Sequence, residues 1–504
     1  MSASTTLLLI IITILTLWSI KTWHRLRHIP GPFWASITNL QRVWWVQTGK
    51  AHLYHRELHE VYGDVVRLGP NMVSVRDPEV IPVVYPMRTG FIKSDFYAAL
   101  RAYTPHQGTM LAVFNTQDED MHKRIKNPIA PLFAFSRIVQ FEETVDGVLE
   151  CLKSQFDEMT MAGKEIDLGD WLQFFAFDVM GTLTFSKRYG FLDQGRDVDG
   201  RILAIFRYMK AAAPMTQIPW LDKCINKNRI AHTFRRTPGM SIMGFVGKVV
   251  GARSKDVEER RGSKDKDKES RRKDFLDHYL EIREGNPEIP TWAPLAWVFS
   301  NVLAGSDSVG TVMRTVMYNL LLHQTSLEKL RQELLDANVS EPYPQWSEVG
   351  GLPYLDACIQ EGLRLYPPFA LPFERIVPAG GITIQGKYIP EGTIVGASPY
   401  VVNRYTPVFG EDAEIWRPER WLEGDRKVLD RSLLTFGAGK RVCLGKHIGI
   451  LELKKLVSFL VMEYDLKLVD PNRFTVENAW VLKQRGLDVR VTKRRGEDIG
   501  VKST

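Results

Sequence analysis

One cysteine stands apart from the other three by what surrounds it. Cys443 lies in Phe436-Gly-Ala-Gly-Lys-Arg-Val-Cys-Leu-Gly445. Glycines before it permit backbone conformations that other residues resist. Gly445 after it lets something flat approach the chain closely. Arg441, two residues earlier, suits an anionic group. An apolar run from Ile448 reads as a helix, and a cysteine near a helix start and beside cations favours the thiolate. A thiolate in a glycine-rich apolar loop is a soft ligand for iron. Cys151, Cys224 and Cys358 make no CxxC pair. A disulfide framework or Cys-rich zinc site is therefore not expected, and the three read as small buried hydrophobes.

Two other constellations have chemical potential. Ala304-Gly-Ser-Asp-Ser308 puts an acid and an alcohol inside an apolar stretch. Such groups are costly there unless hydrogen-bonded, and Gly305 is expected to let a helix widen locally. Glu361 and Arg364 stand three apart before Pro367-Pro368, so on a helix they pair on one face.

These residues need elements to hold them. The run from Trp292 to His323 predicts a long buried helix. Asp64–Leu68 and Met72–Val75 flank Gly69-Pro70-Asn71 and read as a hairpin. Asp77-Pro78-Glu79 is a helix start. Residues 136–250 read as mostly helical, while Ile382–Ile389 and Thr393–Ala397 read as strands. Residues 253–273 lack apolar periodicity and read as a surface loop. The fold class expected is mainly α with a small β component.

The charge is distributed unevenly. The chain has 504 residues, 44% hydrophobic and 25% charged, with net charge +7. Residues 21–28 contribute +3 and residues 253–273 contribute +4, which leaves the remainder neutral. A nucleic-acid binder is expected to spread basic residues over a folded face, so that class is set aside. Ala3–Ile20 carries no charge and is followed by Lys21, Arg25 and Arg27. Eighteen residues of helix rise about 27 Å, close to a hydrocarbon core. The expectation is a single uncleaved transmembrane helix within residues 1–28, a cytosolic body over 29–504, and residence in the endoplasmic reticulum membrane.

Phe436, Gly439, Arg441, Cys443 and Gly445 fill every fixed position of F-x-x-G-x-R-x-C-x-G, and the chain thereby resembles the cytochrome P-450 superfamily. Glu361 and Arg364 resemble its E-x-x-R pair, and Arg417-Pro-Glu-Arg-Trp421 its P-E-R-F element, with Trp421 for Phe. Ala304–Ser308 resembles its A-G-x-D-T groove, with Ser308 for Thr. The stretches 304–323 and 366–391 are similar to pisatin demethylase-like enzymes of filamentous fungi.

The resemblance implies haem b held by Cys443 as the proximal iron ligand. It implies Arg441 on a propionate, with His122, Lys126 and Arg375 as further propionate contacts, and Phe436, Gly439 and Gly445 shaping the sulfur's surroundings. Asp307 and Ser308 would relay protons to bound dioxygen. Glu361, Arg364 and Arg420 would form a structural network. Tyr97–Phe114, Phe299, Leu303, Ala304 and Ala370–Phe373 would line an apolar pocket for a lipophilic small molecule. No flavin or nicotinamide fingerprint appears, so electrons are expected from a separate NADPH-dependent reductase. Lys440, Arg441, Lys446, Lys454 and Lys455 are its expected docking cluster. The alternatives are a haem-thiolate isomerase or dehydratase, or a haem carrier without catalysis.

Overall fold

The structure, a computed structural model, describes residues 3–88, 90–104, 108–230, 240–262 and 273–494. Helix dominates. The longest element is the central helix Ala293–Leu322, started by Pro294 in its first turn and buried over most of its length. Helices Leu168–Phe185, Phe275–Gly285, Pro353–Leu365 and Lys446–Glu463 pack on it. Their apolar residues merge into one large core. Trp297 is 1% exposed, and its indole N–H donates to Ile125 O at 2.9 Å. That bond ties the central helix to helix Glu119–Lys126. Truncating such a side chain to alanine costs about 3–5 kcal/mol.

The β component is small and divided among several short sheets. Strands Val65–Gly69, Met72–Val75, Ile394–Gly396, Arg375–Ile376 and Ile92–Lys93 form one sheet in that order. Val65 pairs with Val75 across the hairpin. Asp77 caps the next turn by accepting from Glu79 N. A second hairpin, Thr475–Ala479 with Val481–Arg485, turns at Trp480, which holds a φ of 77°.

Three expectations need correction. Helix Met240–Gly262 runs into the segment read as a loop from 253, and the remainder up to 272 lies outside the described residues. The run 382–389 is two short strands, Ile382–Ile384 and Lys387–Ile389, paired as a hairpin. Finally, the expected transmembrane helix is not found: among the described residues no helix is long and apolar enough to cross a membrane. Helix Ala3–Arg25 occupies that place, with the side chains at 3–4, 7–12, 14–15 and 18 outside the described residues. Its basic end folds back onto the body, where Arg25 reaches Glu391 O and Thr393 Oγ1.

Candidate active site

The cysteine loop is held by its backbone. Cys443 N donates to Phe436 O at 2.9 Å, closing the loop on itself. Gly437 and Gly439 have φ of 66° and 62°. A Cβ on Gly439 would stand 2.1 Å from Tyr85 O and 2.5 Å from Pro86 O, so this position admits only glycine. Cys443 carries accessible surface although it lies deep in the fold. Burial pushes its thiol up, while the N–H groups of Gly445 and Lys446 pull it back toward the thiolate. The sulfur thus faces open interior space with two donors behind it.

Around the loop is a surplus of positive charge. Arg441 pairs with Glu119 at 2.9 Å, but its buried Nε has no partner. Lys126 Nζ donates to Lys440 O at 2.6 Å. Arg375 donates to Tyr97 Oη at 3.1 Å. Burial pushes His122 down to about 2, helped by Arg441, Lys126, Lys93 and Lys440. Lys93 was not singled out by its sequence context. It is buried between the rings of Tyr97 and Phe114, and burial with Arg375 and Arg441 nearby holds it well below the usual lysine range. The Glu119 carboxylate opposes this shift on Lys93. A cradle of buried cations with an orphaned guanidinium N–H suits a bound dianion.

Asp307 and Ser308 are neighbours in sequence but point about 100° apart round the helix. Ser308 Oγ donates to Ala304 O at 2.5 Å, and Ala304 is exposed on this mostly buried helix, with Leu303, Gly305, Asp307 and Ser308 half-buried around it. Asp307 turns instead toward helix Leu168–Phe185, where it accepts from Gln173 Nε2 at 2.8 Å. Burial raises its pKa, opposed by Lys483 and Arg314. A Cβ at Gly305 would meet Met180 Sδ at 2.7 Å. Glycine here lets the Met180 side chain of the neighbouring helix pack close against the central helix.

Glu361 is fully buried and accepts five hydrogen bonds. They come from Arg364 Nε and Nη2, Arg420 Nε, Arg417 N and Trp421 Nε1, at 2.8–3.0 Å. Trp421 therefore supplies a donor that phenylalanine would lack. Burial opposes ionisation of Glu361, yet Arg364 and Arg420 hold its carboxyl below the usual range. Arg364 also donates to Asn403 O. Asn403 in turn accepts from Leu434 N and donates to Thr435 Oγ1, beside Phe436. The network thus backs the cysteine loop through one residue.

Comparison with known proteins fits this arrangement. The family model described as Cytochrome P450 matches residues 29–490. The chain belongs to the cytochrome P450 family. It is 58% identical to Cytochrome P450 monooxygenase mfmA of Annulohypoxylon moriforme, over 94% of this chain and 93% of that protein. It is 53% identical to Cytochrome P450 monooxygenase pkfB of Emericella nidulans, over 96% and 94%. It is 50% identical to Cytochrome P450 monooxygenase asR2 of Sarocladium schorii, over 95% of each. A cytochrome P450 carries a thiolate-ligated haem, and the residues here fit it. Cys443 is exposed to interior space, the cation cradle suits two propionates, and Gly445 leaves the sulfur's flank open.

The P450's expected lysine cluster is not one surface. Lys454 is buried and bonds Gly350 O and Asp356. Lys455 is fully buried on Glu142 and Asp146. Lys446 is exposed, while Lys440 pairs with Glu119. Of the other cysteines, Cys358 is buried, Cys151 intermediate and Cys224 exposed. Three aromatic side chains meet, with Phe114 stacked on Phe369 at 5.8 Å and Trp480 5.8 Å from Phe369. Trp480 and Phe369 lie outside any periodic pattern, so nothing in the sequence brought them together.

Proposed function

We propose that this protein is a haem-thiolate monooxygenase that hydroxylates a lipophilic small molecule in fungal secondary metabolism, drawing electrons from a separate NADPH-dependent reductase. The observation that carries the reading is Cys443, open to the interior on a glycine-locked loop and flanked by a cation cradle. Residues 29–504 act as the catalytic unit in this reading. The haem supplies activation of dioxygen, with one oxygen atom going to substrate and the other to water at the expense of two electrons and two protons.

The chain's own residues do the rest. The N–H groups of Gly445 and Lys446 oppose the burial that disfavours the Cys443 thiolate, and a bound iron would complete its stabilisation. Arg441, Arg375, His122, Lys126 and Lys93 anchor the propionate edge. Phe114, Phe369, Trp480 and the half-buried Phe299 and Leu303 orient an apolar substrate and keep water away. Ser308 holds a proton on Oγ beside Ala304, and Asp307 takes and gives protons at its carboxylate.

We also propose attachment to the cytosolic face of the endoplasmic reticulum through the N-terminal helices. Leu17, Ile20, Trp23, Phe33, Trp34, Leu40 and Trp44 are all exposed on the first three helices, a composition suited to a membrane interface. Co-flotation with vesicles that an alkaline wash reverses is the expected result; failure to float overturns the attachment.

The test of function is expression with a reductase and comparison of metabolites against Cys443→Ala. Native protein should give the red-shifted Soret band of the reduced carbon-monoxide complex, and the variant should lose both band and product. An unchanged band in the variant overturns the ligand assignment. Label from dioxygen should appear in product; its absence would favour an isomerase or dehydratase.

A further inference from the structure

A small cavity lies between the central helix, helix Leu168–Phe185 and the hairpin strand Val481–Arg485. Its volume is about 10 Å³, room for a single water. Asp307, Gln173, Thr311 and Lys483 supply its polar wall, and Phe206 and Met209 part of its apolar wall. Thr311 Oγ1 stands 2.9 Å from both Asp307 O and Leu482 O, which pins the hairpin to the helix at this spot. Asp307 Oδ1 is taken by Gln173 Nε2 at 2.8 Å. Among the described residues Oδ2 has no protein partner, and Asp307 and Lys483 make no direct ion pair. The cavity thus sets a carboxylate oxygen and an ammonium on one polar wall without direct contact, an arrangement suited to a bridging water.

The polar chain continues beyond Asp307. Gln173 Oε1 accepts from Arg314 Nη1 at 2.6 Å. Arg314 is 1% exposed, and its Nε and Nη2 have no partner. Asp167 and Asp170 lie close enough to act on it, and Asp170 is exposed. Gln173 therefore acts as a clamp: its amide fixes which Asp307 oxygen is engaged and leaves the other for the cavity.

We propose that this cavity is a built water site that resupplies protons to Asp307, and that Lys483 is the positioning residue that holds the water against the carboxylate. The inference rests on the monooxygenase reading. Each proton that Asp307 gives up toward the reaction is replaced by one from the cavity water, and that water recovers its proton from solvent at the half-buried Lys483 edge. No bond other than O–H and N–H is made or broken. Lys483 faces Asp307, Asp170, Arg314 and Arg485. Its cross-strand neighbour Glu477 is engaged by Lys210. Asp307 is faced by Lys483, Arg314 and Gln173.

Burial brings Lys483 down to about 8, with Arg314 adding and Asp307 and Asp170 opposing. Below that pH its charge favours the carboxylate and orders the water; above it both effects fade. Coupling, measured as product formed per NADPH consumed, should therefore fall as pH rises through about 8.

The experiment compares native protein, Lys483→Met and Lys483→Arg with the same reductase and substrate. Lys483→Met should lower coupling by up to about a hundredfold, the size of one charge interaction across a water, about 6 Å, inside a protein, with peroxide released instead, a larger solvent isotope effect and no inflection near pH 8. Lys483→Arg should restore coupling and shift the inflection beyond the accessible range. The substrate-induced spin shift should be the same in all three. Native coupling in Lys483→Met, or an unmoved inflection in Lys483→Arg, overturns the proposal. If native protein consumes no oxygen with any reductase and substrate, the monooxygenase reading itself has failed.

Discussion

Replacing Glu361 with Gln isolates what the buried network contributes. Glutamine keeps the shape but removes the charge, and its amide N–H₂ faces donors. Arg420 retains a carboxylate in Asp412 at 3.1 Å. Arg364 does not: among the described residues its remaining acceptors are the backbone oxygens of Asn403, Ala413 and Ile415. The cost is therefore that of one fully buried guanidinium without a counter-charge, about 3–5 kcal/mol. Set against a native stability of about 5–15 kcal/mol, that is a large share. Because Arg364 reaches the cysteine loop through Asn403, haem incorporation should fall with stability. Denaturant midpoint by tryptophan fluorescence measures the first, and the carbon-monoxide difference spectrum per mole of protein the second. Trp421→Phe provides the graded comparison, since it removes only one hydrogen bond to a charged acceptor, about 1.5–3 kcal/mol. A native midpoint with a full Soret band in Glu361→Gln would refute the reasoning, as would Trp421→Phe proving the more damaging change.

Two further outcomes follow from the fold. His52, His55 and His59 lie buried on helix Ala51–Tyr62, and burial lowers them to about 3, 3 and 4. Neutral in the folded state and protonated near pH 6.5 once unfolded, they stabilise fully above pH 6.5, and that stability is lost as pH falls toward 4. The slope is up to about 4 kcal/mol per pH unit for three groups; a denaturant midpoint flat from pH 7 to 4.5 would contradict it. Gly439→Ala forces a Cβ onto Tyr85 O at a left-handed φ, so the purified variant should lack the carbon-monoxide Soret band, and normal haem content would contradict the packing.

The motif around Cys443, the Glu361–Arg364 spacing and the apolar run of the central helix were legible because each is local. Ligand, helix partner and helix face are set within a few residues of one another, and that was enough for the family and the mainly helical fold. Tertiary structure decided what depends on contacts between distant segments. Lys93 gives no local sign of a role, yet folding encloses it with Arg375 and Arg441. Lys454 and Lys455 look like surface charges in sequence and are buried against Asp356, Glu142 and Asp146. Nothing in the sequence around Gly305 signals its packing contact with Met180. Asp307 and Ser308 read as one pair, but the helical twist sends one toward Gln173 and the other toward Ala304. The sequence alone determines which residues carry charge and at what spacing along an element. Only the packed chain determines which of those charges meet, because burial and neighbours decide whether a lysine is a docking point, a counter-ion or part of a cofactor cradle.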